Sequence, residues 1–163
     1  MPHLSEFTEF KKKVINLILY DAECVELITG VENTALPAGS LLNKQVFPYD
    51  YIDETTTDAK VFVCIEVDDG DVKGPAVAGV HLWVYIAVPK ILMNMEGEIR
   101  RDALSQRIDE LLNGNMDFGF GKLERKPGGR IVLHDSFRGR FLHYYINGWN
   151  RHGSSLPGTT ANR

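Results

Sequence analysis

The sequence predicts an α/β (α+β) fold, with one mixed or antiparallel sheet of about four strands packed by helices. Three observations predict it. The apolar run Val77 to Val88 is dominated by β-branched and aromatic residues and ends at Pro89, the composition of a strand. Directly after it, Ile99, Ala103, Leu104, Ile108, Leu111 and Leu112 recur at helical spacing. Arg100, Arg101, Asp102, Gln106, Arg107, Asp109 and Glu110 take the opposite side. The chain has 163 residues, 44% of them hydrophobic and 25% charged, enough for one domain with a real core. The expected organisation is a single domain over 1–152 and a flexible Ser/Gly/Pro/Thr-rich tail over 153–163.

In chain order, Ser5 is expected to cap a helix running to Tyr20, with Phe7, Phe10, Val14, Leu17 and Ile18 as its apolar stripe. Asp21 caps a second, short helix, Ala22 to Ile28, and Gly30 stops it. From Val31 to Ala59 no period is sustained, and a long irregular stretch in a compact domain is often functional. It contains Phe47, Tyr49 and Tyr51 around Pro48, which either stack on a partner or tuck over the sheet edge.

Lys60 to Asp68 alternates as the first strand, and a turn-like segment from Asp68 to Pro75 joins it to the Val77 strand. In that second strand Val80, Leu82, Val84, Ile86 and Val88 share one face and His81, Trp83, Tyr85 and Ala87 the other. Both are largely apolar, so the strand is expected to be central and covered on both sides. Asn113-Gly114 stops the long helix. A strand region then runs from Phe118 through a Pro127-Gly128-Gly129 turn or bulge to Leu133. His134 to Arg138 connects to a final strand, Gly139 to Asn147. The order is α-α-β-β-α-β-β.

Few residues suggest chemistry. Cys24 and Cys64 lack paired spacing and read as two buried thiols. Asp68, Asp69 and Asp71 resemble a fragment of a calcium loop, but the terminal glutamate position is not filled, and they read as a solvated loop. His134-Asp135-Ser136 has the letters of a triad, but triad side chains converge from separate elements. Phe118-Gly-Phe-Gly121 precedes a strand and is no phosphate cradle. His3, His81, His143 and His152 show no ligand spacing. No metal and no cofactor are expected, and a small metal-dependent enzyme stands as the weaker alternative. The formal charge of -4 does not advertise a nucleic-acid binder. The C-terminal third is locally basic, with Arg125, Lys126, Arg130, Arg138, Arg140 and Arg151. Salt bridges from these to the acidic hairpin or to another subunit are expected. No signal peptide is visible and the longest apolar run is too short to span a bilayer, so an intracellular, soluble protein with no membrane partner is expected.

Several stretches carry a resemblance. They are Val46-Phe-Pro-Tyr-Asp-Tyr-Ile52 leading into Lys60-Val-Phe-Val-Cys-Ile-Glu-Val67, Ile108-Asp-Glu-Leu-Leu-Asn-Gly114, Phe118-Gly-Phe-Gly-Lys-Leu-Glu124, and Gly139-Arg-Phe-Leu-His-Tyr-Tyr145 with Trp149-Asn-Arg151. Over residues 45–151 the chain resembles the tail-terminator, or tail-completion, and neck proteins of tailed bacteriophages of Gram-positive hosts. The resemblance implies a structural virion protein, assembled in the host cytoplasm, with no catalysis and no cofactor. It also implies a homo-oligomeric, hexameric ring on the tail tube, docked to the major tail tube protein and the head-closure connector, with DNA passing through its lumen. Other neck roles, head closure or head-tail joining, are the alternatives within that neighbourhood. The residues expected at interfaces are Phe47, Tyr49, Tyr51, Asp68, Asp69, Asp71, Arg138, Arg140, Trp149 and Arg151.

Overall fold

A computed structural model describes residues 4–30, 39–52, 58–72, 77–118 and 121–149, with backbone alone at 71, 72, 77, 78, 134, 148 and 149. It is an α+β fold: three α-helices and one mixed sheet of five strands. The elements are α1 (Leu4–Leu19), α2 (Ala22–Thr29), β1 (Val46–Phe47), β2 (Phe62–Val72), β3 (Val77–Pro89), a short 3-10 turn (Lys90–Leu92), α3 (Arg100–Leu112), β4 (Glu124–His134) and β5 (Phe137–Trp149). The strand order is β1-β2-β3-β5-β4; β1 runs parallel to β2 and all other pairs are antiparallel. The expected tail, 153–163, and Arg151 lie outside the described residues.

The fifth strand is the short β1, inside the stretch read as aperiodic. Two residues are too few to show an alternation, and what holds them is the neighbour: Val46 pairs with Val63 and Phe47 with Cys64. Ser5 lies inside α1 and not at its cap. The stripe it leads is buried at Phe7, Phe10, Val14 and Ile18, with Ile15 and Leu19 added and Leu17 half-buried. The cap of α2 is as expected. Asp21 Oδ1 accepts from Cys24 N at 2.9 Å, and Gly30 ends the helix at φ 73°, a left-handed conformation that favours glycine. Ile99 precedes α3 instead of joining its stripe, and it is exposed. Arg100, expected in solvent, is held down by Nε to Leu92 O and Nη1 to Leu27 O, each at 2.9 Å.

The 68–75 loop is much shorter than expected. Asp68 and Asp69 lie in β2, opposite His81 and Val80, and the ladder resumes at Val72 opposite Ala78 after one extra residue. Residues 73–76 are outside the described set. Pro127 and Gly128 sit in a bulge of the edge strand β4, where proline's missing N–H costs no ladder bond. A Cβ at Gly128 would stand 2.5 Å from the Phe141 carbonyl oxygen, so that position requires glycine.

The core lies between the helices and one face of the sheet. Val63, Ile65 and Val67 of β2, Val80 to Val88 of β3 at every second residue, and Leu142, Tyr144 and Ile146 of β5 meet Phe10, Val14, Ile18, Leu104, Ile108 and Leu112. β3 is central, as expected. Among the described residues its second face is covered only in part, at the Ala87 end. Among the described residues no helix lies on the His81, Trp83 and Tyr85 face, and those three remain half-exposed.

Candidate interaction face

Strand register builds this second face. Because side chains alternate along a strand, antiparallel partners share a face and form rows across the sheet. One row reads Glu66, Trp83, His143 and Lys126 across β2, β3, β5 and β4; the next reads Asp68, His81, Tyr145 and Glu124. A third carries Cys64, Tyr85, Phe141 and Gly129. Carboxylates therefore stand on β2, aromatic rings and histidines in the centre, and a lysine beside a glutamate on β4.

The centre is a packed aromatic array. The Trp83 and His143 rings stack with centroids 3.8 Å apart and planes 4° apart. His81 Nδ1 and His143 Nε2 are 2.7 Å apart, a hydrogen bond in which one ring donates and the other accepts. Phe141 flanks Trp83 at 6.0 Å, and Tyr145 flanks His81 at 4.9 Å. Lys126 Nζ lies 5.6 Å from the Tyr145 ring centre and 3.3 Å from Glu124 Oε2. Tyr145 lies over Gly79 and Gly70, so that a Cβ at Gly79 would overlap its hydroxyl and ring. Burial holds the His143 pKa below its usual value, and the nearby charges of His81 and Lys126 act in the same direction. Burial likewise raises the Tyr85 hydroxyl, helped by Asp50, Asp68 and Glu66.

At the β1 end this face is roofed by the chain itself. Phe47 is buried with Phe62, Cys64, Ala87 and Phe137, and Tyr51 stacks on Phe47 at 3.9 Å and 3°. Tyr49 packs edge-on against Phe47 at 5.6 Å, while Tyr49 and Tyr51 stay 47% and 40% exposed. Of the two readings of these aromatics, tucking over the sheet edge holds for Phe47; the tyrosines keep an outward side. Cys24 and Cys64 are both free and buried. Desolvation raises both thiols, Cys64 to about 11, so neither supplies a thiolate at neutral pH.

The other residues expected at interfaces scatter. Asp68 and Asp69 are exposed at the far end of β2, and Asp71 and Trp149 are placed by backbone only, Trp149 opposite Val77. Arg138 and Arg140 pair with Val88 and Ile86 and lie on the helix-covered side near α3. Arg125 makes its salt bridge to Asp109 of α3 at 3.0 Å and Lys126 to Glu124, where the acidic hairpin or another subunit was expected; of these, the hairpin is not the partner. The reason is topological: β5 and β3 separate β4 from β2. Sequence reasoning missed the pairing of His81 with His143, 62 positions apart, because the β3–β5 register is invisible in a single chain. The available signal was Glu66 and Asp68 alternating on the same face as Phe62 and Cys64, which marks a side not sealed throughout.

A family model described as YomW matches residues 15–146, from the middle of α1 to near the end of β5. The chain belongs to the YomW family. That family is phage-derived, which makes this a phage-associated protein. No curated protein matches the chain. In this YomW-family protein the match covers the sheet rows of the open face as well as the core. Among the described residues no group of three or more His, Cys, Asp or Glu side chains is placed to hold a metal, and no helix is long and apolar enough to cross a membrane.

Proposed function

We propose that this YomW-family protein is a structural, non-catalytic component of the phage particle, a tail terminator that works by associating with copies of itself and with neighbouring tail and neck proteins. The observation that carries this reading is the half-exposed Trp83, His81, His143 and Tyr145 array on a sheet whose other face is sealed by three helices. Aromatic side chains are enriched at the centres of protein interfaces, because they bury much area at little entropic cost. The phage origin of the family and the resemblance to tail-terminator proteins support the role, with a hexameric ring on the tail tube, the major tail tube protein and the head-closure connector as partners, and no cofactor.

Native mass measurement of the protein, alone and mixed with purified tail tubes, tests it. The wild type is expected to form rings at least when tubes are present. Trp83→Glu is expected to stay folded by circular dichroism yet remain monomeric. A wild type that is monomeric both with and without tubes overturns the proposal.

A further inference from the structure

Two surface features serve neither the core nor the aromatic array. The first is a short hairpin between β3 and α3. Asn94 bridges Ile99, Met95 N donates to Glu98 O at 3.0 Å, and Arg100 N donates to Met93 O at 2.8 Å. Gly97 turns the chain at φ 87°, in the left-handed region. The Arg100 guanidinium bonds to the Leu92 and Leu27 carbonyls fix its base. Glu96 and Glu98 are exposed on it and make no ion pair among the described residues. Ile99 is 41% exposed, and Ile91 at its foot is 78% exposed. The second feature is a groove of about 440 Å³ between α1 and the 41–48 segment, where Lys11, Lys12 and Ile15 face Leu42, Asn43 and Pro48. We propose that the 94–99 hairpin of one copy seats in this groove on the next copy, head to tail. The inference rests on the ring reading and names the two surfaces that build the ring.

The argument rests on complementarity. The groove wall is mainly apolar, and among the described residues its charged members are both lysines. Lys11 is already held by Glu66 and the Pro48 carbonyl, so it lends the groove its aliphatic stem. Lys12 meets only Glu9, one turn away on the same helix, and both are exposed. Such a pair contributes little, so Lys12 can turn to an incoming carboxylate at small cost. Lys44, the neighbour of Asn43, is exposed and makes no ion pair among the described residues. An apolar floor with a cationic rim thus matches a hairpin with exposed isoleucine and two unmatched carboxylates, the layout of an interface core and its rim. The hairpin is fixed by its own bonds before docking, which lowers the ordering cost of association. Among the described residues the hairpin contributes nothing to the groove wall of its own chain. A two-fold contact of either patch with its own copy would set carboxylates against carboxylates or lysines against lysines. Two unlike patches make a heterologous contact instead, and a heterologous contact repeated by rotation closes into a ring.

Charge reversal on each side, followed by mixing, tests the pairing. The hairpin variant is Glu96→Lys/Glu98→Lys and the groove variant is Lys12→Glu/Lys44→Glu, all at exposed positions. Native mass is measured with and without purified tail tubes, in the condition where the wild type forms rings. Each variant alone sets like charges at every contact and is expected to need at least about tenfold more protein to assemble. An equimolar mixture is expected to restore assembly near the wild-type concentration. Every hairpin then meets a groove of opposite sign, and six is even, so the two variants alternate around a closed ring. That recovery also shows that both variants are folded. Rings that form normally in both variants overturn this inference and leave the ring reading standing. A mixture that fails to recover also overturns it, since the two patches would then meet other surfaces, the tube protein among them. A wild type that is monomeric with and without tubes removes the ring reading and this inference with it.

Discussion

Asp21 does two things with one carboxylate. It caps α2 through Cys24 N and also accepts from Arg107 Nη2 of α3 at 2.7 Å. The Arg107 hydrogen bond is the main reason its pKa lies below the usual carboxylate value, against the opposing effect of burial. The cap contributes about 1 kcal/mol in typical helices, and the part-buried, two-pronged contact with Arg107 adds to it. Gly79 shows the opposite economy, a residue chosen for what it lacks. Its backbone is ordinary strand, but Tyr145 occupies the space of a side chain. Gly79→Ala is therefore expected to destabilise by about 1–3 kcal/mol through overpacking, read as a lower urea midpoint. In a Tyr145→Ala background the same change is expected to cost far less; additive losses would show that the tyrosine is not what excludes the methyl group.

At the scale of elements, the question is what fastens α3 to the sheet. Leu104, Ile108 and Leu112 are fully buried against it, and apolar burial supplies most of the attachment. Orientation comes from a polar contact: the buried Tyr144 hydroxyl donates to Asp109 Oδ1 at 2.7 Å, and Asp109 Oδ2 takes Arg125 at 3.0 Å. Burial and the Asp109 carboxylate push the Tyr144 hydroxyl well above its usual pKa. Tyr144→Phe is expected to cost about 1.5–3 kcal/mol, because the acceptor is charged and half-sheltered. Arg125→Ala, at an exposed pair, is expected to cost under about 1 kcal/mol. Chemical denaturation of the two variants checks the order, and a larger loss for Arg125→Ala would contradict it. The helices and long strands were legible because their hydrophobic periods are long. β1 and the β2 extension to Val72 were not, since both depend on a neighbouring strand and not on local pattern.

For the whole molecule, the decisive feature is a sheet with one sealed and one open face, with a hydrogen-bonded histidine pair at the centre of the open one. His143 has a folded-state pKa below its usual 6.5. The unfolded chain therefore takes up this proton first as pH falls. The stability that depends on neutral His143 is fully present above about 6.5 and is lost as pH drops toward the lower folded value. Lys126 and His81 face the ring, so protonation there meets positive neighbours. The denaturation midpoint is expected to fall between neutral pH and mildly acidic pH, and His143→Gln is expected to flatten that fall. An equal fall in the variant would assign it to other groups.

Local order was written in the chain: an α/β domain, a central strand at Val77, the cap at Asp21 and the stop at Gly30 all follow from period and capping chemistry within a few residues. Which face stays open, that His81 meets His143, and that Arg130 is set against Arg140 were decided only by tertiary structure. Those facts depend on which strands become neighbours and in what register, and pairing between segments tens of residues apart leaves no trace in the spacing of either one.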